Sequence, residues 1–261
     1  MSDSVLYAVA DGVATITLNR PQVMNALDAS MIVQLRVACE RAEGDKSARA
    51  VVLRGAGPGF LGGGDVAFFH SNLARMPELA REGGAELHRG ILALRRAPKP
   101  VLASVHGAVA GAGVSLLAAA DLAIAAADAT FALAYSKIGA SPDGGATYFL
   151  PRLVGYRRAL ELTLLSDTFD AQTALDIGLV NQVVSGEQLG EKTARLAQRL
   201  ARGATRAFAE TKQLVNQSYD RTLPAQLDAE VQAFARCAET RDFAEGVTAF
   251  VEKRKAEFKG N

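Results

Sequence analysis

Near the start of the chain, VLYAVA and VATITL alternate apolar and polar positions on either side of Asp11-Gly12. Period-two runs joined by a pair that tolerates positive φ predict a β-hairpin. From Asp28 to about Glu43 the apolar spacing lengthens to the helical three-and-four, with Asp28 placed to cap the first turn. ARAVVLRG then predicts a short strand ending at Gly55, and a further helical run covers about Pro77 to Arg96. Next come strand VLASVHG, helix AGVSLLAAA, strand DLAIAA, helices over 144–153 and 155–165, and a short strand near 179–184. From Glu187 onward nearly every window has helical periodicity. Strands crowd the first two thirds and helices the last, so the pattern predicts an α/β core over 1–200 and a helical C-terminal region over 201–261.

Composition narrows the classes. A chain of 261 residues, 49% hydrophobic and 22% charged, can bury a large core. A net charge of +1 without blocks of like charge gives no field for a polyanion, so no nucleic-acid partner is expected. Cys39 and Cys237 stand far apart and outside any CxxC pattern, which fits two reduced thiols of a cytoplasmic protein. MSDSVLYAVADG has no basic segment followed by an apolar one, so no secretory signal is expected. Residues 101–120 carry no formal charge over about the length that spans a bilayer. The stretch is mostly Ala, Gly and Ser, contains His106 and is flanked by Lys99 and Asp121, so it reads as strand, glycine turn and helix, with no membrane partner.

Two glycine clusters carry the candidate chemistry: FLGGGD, 60–65, and GAVAGAGVS, 107–115. Each follows a strand and precedes helical periodicity. Such a junction lets backbone approach a ligand closely and offers unpaired N–H groups at the start of a helix; it also serves as a plain tight turn. GPGFLG, 57–62, formally matches GxGxxG, but Pro58 and Phe60 interrupt it and more glycines follow, so a dinucleotide site is not expected. There is no GxxxxGK[ST], no HExxH and no GxSxG serine with a partner histidine. His106 reads as a satisfied core histidine, and His70 and His88 as helical surface positions. Asp143 stands in KIGASPDGGAT, where Pro-Asp-Gly-Gly suits a turn or a helix cap as well as an acid put to work.

The segments NRPQVMNALD, FLGGGD, KPVLASVHGAVAGAG, DLAIAAADATFA, IGASPDGGATYFLPRLVG and FVEKRKAEF occur in that order over nearly the whole chain. In this the sequence resembles the crotonase, or enoyl-CoA hydratase/isomerase, superfamily. The resemblance implies a spiral of ββα units with a helical C-terminal trimerisation region, assembled as a homotrimer or a dimer of trimers. It implies an acyl-CoA thioester substrate, no separate cofactor, since coenzyme A is part of that substrate, and no metal. The thioester oxygen would lie between two backbone N–H groups, those of Gly64 and Ala112, which stabilise the enolate-like oxyanion. Ala112 stands where the family usually has glycine. Met24, Ala26, Gly62, Asp65, Val66 and Ala110 would line the coenzyme A and acyl path, with Tyr135 as pocket lining or a core aromatic. Lys253, in the terminal helix, resembles a family lysine that reaches coenzyme A; FVEKRKAEF reads equally as an amphipathic helix with a solvated basic face.

Hydratases of the family use two glutamates, and Ser115 and Tyr135 hold those places. Asp143 instead matches the acid of the enoyl-CoA isomerases and of the ring-epoxide isomerases of phenylacetate breakdown, and KIGASPDGGATYFLPRLVG is most similar to the latter. A dehalogenase of the same superfamily uses such an aspartate as a nucleophile beside a tryptophan, and this chain has no Trp. The resemblance therefore implies an isomerase with Asp143 as proton shuttle, set against an apolar wall that discourages water. A hydratase-type lyase and an acyl-CoA binding homologue with little turnover are the alternatives.

Overall fold

A computed structural model describes residues 3–261. The hairpin forms as the alternation predicts, from β1 (Val5–Ala10) and β2 (Val13–Leu18). Asp11 and Gly12 both take positive φ, 49° and 76°, the turn whose twist matches two right-twisted strands. Helix α1 (Ala29–Gly44) opens on Asp28, whose carboxylate accepts the Met31 N–H at 2.8 Å. β3 (Ala50–Gly55), α2 (Val66–Ser71) and the long α3 (Met76–Arg96) follow.

The middle of the chain winds through β4 (Val101–Val105), β5 (Ala108–Ala110), α4 (Ala112–Ala118), β6 (Leu122–Ala126) and β7 (Thr130–Ala132). Then come α5 (Ala146–Val154), α6 (Tyr156–Leu165), β8 (Phe169–Asp170), α7 (Ala171–Asp176) and β9 (Gln182–Val184). Four helices complete the chain: α8 (Gly186–Ala201), α9 (Thr205–Gln217), α10 (Leu223–Ala238) and α11 (Arg241–Val251). Strands β5, β7 and β8 and helices α2 and α7 are not legible in the periodicity, because runs of two to six residues are too short to display one.

Strands alternate between two sheets. The larger has the order β1-β2-β3-β4-β6-β9, parallel apart from the β1–β2 hairpin. The smaller has the order β5-β7-β8, and an isolated parallel bridge between Leu61 and Val109 extends it. After the opening hairpin, β4 and β5, then β6 and β7, each lay one strand in the larger sheet and one in the smaller before the next helix. Strand β3 shows why the larger sheet is stable: Val51 and Leu53 enter the main core with α1, α3 and α4, while Ala50 and Val52 join Leu189, Ala197 and Ala201 of α8 on the other face. A central parallel strand is buried on both sides, and the first four residues of β3 are apolar for that reason; Arg54 follows where the strand emerges. None of the described helices is long and apolar enough to cross a membrane.

Candidate active site

The first glycine cluster is fixed by the NRPQVMNALD segment. Asn25 is fully buried at φ 57°, and its amide donates to the carbonyls of Ala56, Gly59 and Phe60 at 2.9–3.1 Å while accepting the Arg20 N–H at 2.8 Å. The backbone of 24–27 then pairs with 62–65: Gly62 N–H to Met24 O, Leu27 N–H to Gly63 O and Asp65 N–H to Leu27 O, all at 2.8–2.9 Å. Arg20 bridges Asp28 and Asp65 at 3.1 and 3.3 Å, and Asp65 also caps α2 by accepting the Phe68 N–H. Met24 and Val66 are exposed, so this braced turn presents apolar side chains outward.

The second cluster lies beside the first. Ala110 N–H donates to Leu61 O at 2.9 Å, and a Cβ at position 113 would stand 2.3 Å from the same oxygen, so only glycine lets α4 start this close to the 61–64 segment. Ala112 is buried at the first position of α4. Among the described residues, neither the Gly64 N–H nor the Ala112 N–H has a hydrogen-bond partner. Gly64 is half-buried and Ala112 buried, positions where main-chain donors without an intramolecular partner are uncommon. The Phe69 ring covers Gly64: a Cβ there would lie 2.4 Å from it.

Asp143 is fastened to α4, the helix that begins at Ala112. The Ser115 hydroxyl, one helical turn after Ala112, donates to the Asp143 carbonyl at 2.9 Å, and a Cβ on Gly144 would press on the Ser115 Cβ at 3.0 Å. Gly144 and Gly145 both take positive φ, 60° and 82°, which brings the turn down onto the helix. The Asp143 side chain does not cap α5: the cap residue is Gly145, without a side-chain bond. Its Oδ1 instead accepts the Tyr135 hydroxyl at 2.7 Å, and Tyr135 Oη also lies 3.1 Å from Ser115 Oγ. Burial, then the Asp143 charge, pushes the Tyr135 phenol well above its ordinary range, so it stays a donor.

The structure corrects four expectations. In the single chain Asp143 is exposed rather than set in an apolar wall: Gly144 beside it is buried against Ser115 and Ile91, while the Asp143 carboxylate turns outward and takes its hydrogen bond from Tyr135. Lys253 is not in the terminal helix: α11 ends at Val251, and Lys253 sits in the left-handed cap at φ 57°, exposed, with no ion pair to the cleft among the described residues. His106 is half-buried rather than core, its ring Nε2 2.8 Å from Gly57 O. Asp143 as a helix cap is excluded by the bonding just described. His70 and His88 are exposed on α2 and α3 as expected. Among the described residues no group of three or more His, Cys, Asp and Glu could hold a metal.

Sequence reasoning missed Asn25, Arg20 and Phe69. NRPxxxNA offered a signal for the first two, since a polar side chain within a turn-rich segment that pairs with a glycine loop must satisfy that loop's carbonyls. Nothing local marks Phe69, whose role comes from the fold of α2 over Gly64.

The profile of the enoyl-CoA hydratase/isomerase family matches residues 8–261. Over 98% of both chains the sequence is 40% identical to a Rhodobacter capsulatus protein named "probable enoyl-CoA hydratase". It is 36% identical, over 100% of both chains, to the 1,2-epoxyphenylacetyl-CoA isomerase of Escherichia coli. The crystal structure of an enoyl-CoA hydratase from Polaromonas superposes with a TM-score of 0.93 at 34% identity, covering 98% of this chain and 99% of that one. The spiral of ββα units, the paired glycine clusters and these likenesses agree: the chain belongs to the enoyl-CoA hydratase/isomerase family and has the crotonase fold.

Proposed function

We propose that this enzyme is an isomerase that shifts the double bond of an enoyl-CoA. The observation that carries the reading is one carboxylate, Asp143, with Oδ1 held by Tyr135, on a turn fastened to the helix that begins with the unpaired Ala112 N–H. In the proposed reaction the thioester oxygen of a 3-enoyl-CoA accepts from the Gly64 and Ala112 amides. Asp143 takes the α-proton, the C–H electron pair becomes a π bond between the α-carbon and the thioester carbon as the carbonyl pair moves onto oxygen, and the resulting dienolate is conjugated with the alkene. The same carboxyl then gives the proton to the γ-carbon as the carbonyl reforms and the double bond shifts to the 2-position. The product is the 2-enoyl-CoA, with no atom gained or lost. Each amide would contribute about 3–4 kcal/mol to the barrier reduction.

Hydration needs a base for water and an acid for the α-carbon. The two places where the family's hydratases carry glutamates hold Ser115 and Tyr135, and their hydroxyls are already engaged with each other and with Asp143. The hydratase name of the Rhodobacter relative keeps a hydratase-type lyase as the second reading. Met24, Ala26, Gly62, Val66 and Ala110 are proposed to line the coenzyme A and acyl path; Asp65 would act through the turn it braces, since its carboxylate serves Arg20 and Phe68. Lys253 would reach coenzyme A only across an assembly. The exposed apolar side chains Leu223, Leu227, Val231, Phe234, Phe250 and Val251 on the last two helices support residues 201–261 as the oligomerisation region of a homotrimer or dimer of trimers.

The test is Asp143→Asn assayed with a 3-enoyl-CoA and, separately, with crotonyl-CoA. Isomerisation lost in the variant and little hydration in the wild type are expected. Undiminished isomerisation overturns the role of Asp143, and efficient crotonyl-CoA hydration installs the second reading.

A further inference from the structure

We infer that Tyr135 is the positioning residue of Asp143: its phenol fixes Oδ1 and leaves Oδ2 as the one oxygen that carries the proton between the α- and γ-carbons. This rests on the isomerase reading above. An exposed aspartate in a glycine-rich turn has two rotatable bonds and two equivalent oxygens. Left alone it would present either one to substrate or to water. Here Oδ1 receives the Tyr135 hydroxyl at 2.7 Å, while Oδ2 has no partner among the described residues.

The anchor is itself anchored. Tyr135 Oη lies 3.1 Å from Ser115 Oγ, and Ser115, fully buried, donates to the Asp143 carbonyl at 2.9 Å. Ser115 therefore ties the main chain of the acid to α4, the helix that starts with Ala112, and its oxygen packs against the phenol oxygen. The residue before the tyrosine, Ala134, has φ 56°, a conformation unfavourable for alanine, and the Tyr135 N–H bonds back to Leu133 O at 2.7 Å. The chain accepts a strained turn at the point where this ring is aimed. Because the phenol stays protonated over the working range, the bond to the carboxylate is charge-assisted and directional.

A fixed single oxygen predicts that the proton removed from the α-carbon is the one delivered to the γ-carbon, because it never rotates into solvent. The experiment follows an α-deuterated 3-enoyl-CoA in wild type, Tyr135→Phe and Ser115→Ala, with affinity measured separately using saturated butyryl-CoA. Tyr135→Phe is expected to lower kcat about 10- to 100-fold, the scale of one lost charge-assisted bond. It should also cut deuterium transfer to the γ-carbon while leaving butyryl-CoA affinity within about twofold of wild type. Ser115→Ala, which keeps the Tyr135–Asp143 bond, should show a smaller fall in kcat and a partial loss of transfer. Wild-type kcat and transfer in Tyr135→Phe overturn the inference, and so does a loss confined to KM and butyryl-CoA affinity. If Tyr135→Phe does not accumulate as folded protein, Tyr135→Met, which also lacks the hydroxyl, decides: reduced transfer at unchanged affinity supports the inference and unchanged transfer overturns it. An active Asp143→Asn defeats the isomerase reading itself, whereas an inactive one beside an unaffected Tyr135→Phe defeats only the positioning role.

Discussion

Lys212 on α9 places its ammonium 2.8 Å from Oδ2 of Asp121 at the head of β6. The same nitrogen donates to Leu94 O at 2.7 Å and Lys99 O at 3.3 Å, so one side chain joins the helical C-terminal region to the end of α3 and to the approach to β4. Asp121 is held in turn by the Val101 N–H at 2.8 Å and by Arg95 at 3.5 Å. Burial lowers the Lys212 pKa and the Asp121 charge opposes this, the balance expected of an ion pair taken out of water. Replacing Lys212 with Met leaves Asp121 with the Val101 N–H and the more distant Arg95 alone and takes a donor from two carbonyls. We expect a loss of about 3 kcal/mol in urea unfolding. A change below about 0.5 kcal/mol would mean that the pair contributes no net stability.

Asn25→Ala should be costly to both stability and binding. Three carbonyls and one N–H lose their partner inside the fold, and alanine takes the position at φ 57° less readily than asparagine. A loss of about 3 kcal/mol is expected, given roughly 1–3 kcal/mol for each buried polar group left unpaired and some relaxation. Because Asn25 also sets the ladder that holds 62–65, acyl-CoA affinity should fall with it, which thermal unfolding and calorimetric titration with butyryl-CoA would show together.

How much of this was readable in the residues follows from the range of the forces involved. The hairpin at Asp11-Gly12, the cap at Asp28 and the helices α1 and α3 are fixed by nearest neighbours and by long periodic runs, and the sequence displays them. The order of motifs pointed to the family and so to Gly64, Ala112 and Asp143. The pairing of Tyr135 with Asp143 was not readable, because it depends on a strained Ala134 and on Ser115 from a helix some twenty residues earlier. Lys253 was misplaced for the opposite reason: helical periodicity runs past Val251, but the left-handed cap ends the helix and the chain folds back, with Lys259 and Gly260 N–H groups bound to Asp242 at 2.7 and 2.8 Å.

Two glycines on different helices should respond oppositely to alanine. At position 113 a Cβ would meet the Leu61 carbonyl at 2.3 Å, so the start of α4, next to the Ala112 N–H, or the 61–64 segment must shift. Gly113→Ala is expected to lower kcat/KM about 100-fold, the scale of one lost oxyanion donor. At position 84, within α3, nothing lies within 4 Å of the new methyl. Gly84→Ala should leave kinetics unchanged and stabilise by about 1 kcal/mol through helix propensity alone. Steady-state kinetics and urea unfolding on both variants separate the two effects.

The Tyr135 phenol makes a prediction at alkaline pH. Its pKa is raised in the folded chain above the ordinary 10.0, by burial first and the Asp143 charge second. In the unfolded chain the phenol releases its proton near its ordinary value, so from about pH 9 upward the folded state binds the proton more tightly. The sign follows: this contribution to stability is complete below pH 10.0 and is lost progressively as pH rises toward the folded pKa. Tyr7 and Cys39, also raised, chiefly by burial, act in the same direction, so the wild-type slope alone does not isolate Tyr135. The difference between wild type and Tyr135→Phe does. Urea unfolding of both between about pH 8 and pH 11 should show the wild-type advantage constant at the lower end and shrinking at the upper. A difference that stays flat would mean that the folded chain does not hold the phenol in its protonated form, and the bond to Asp143 would lose its donor.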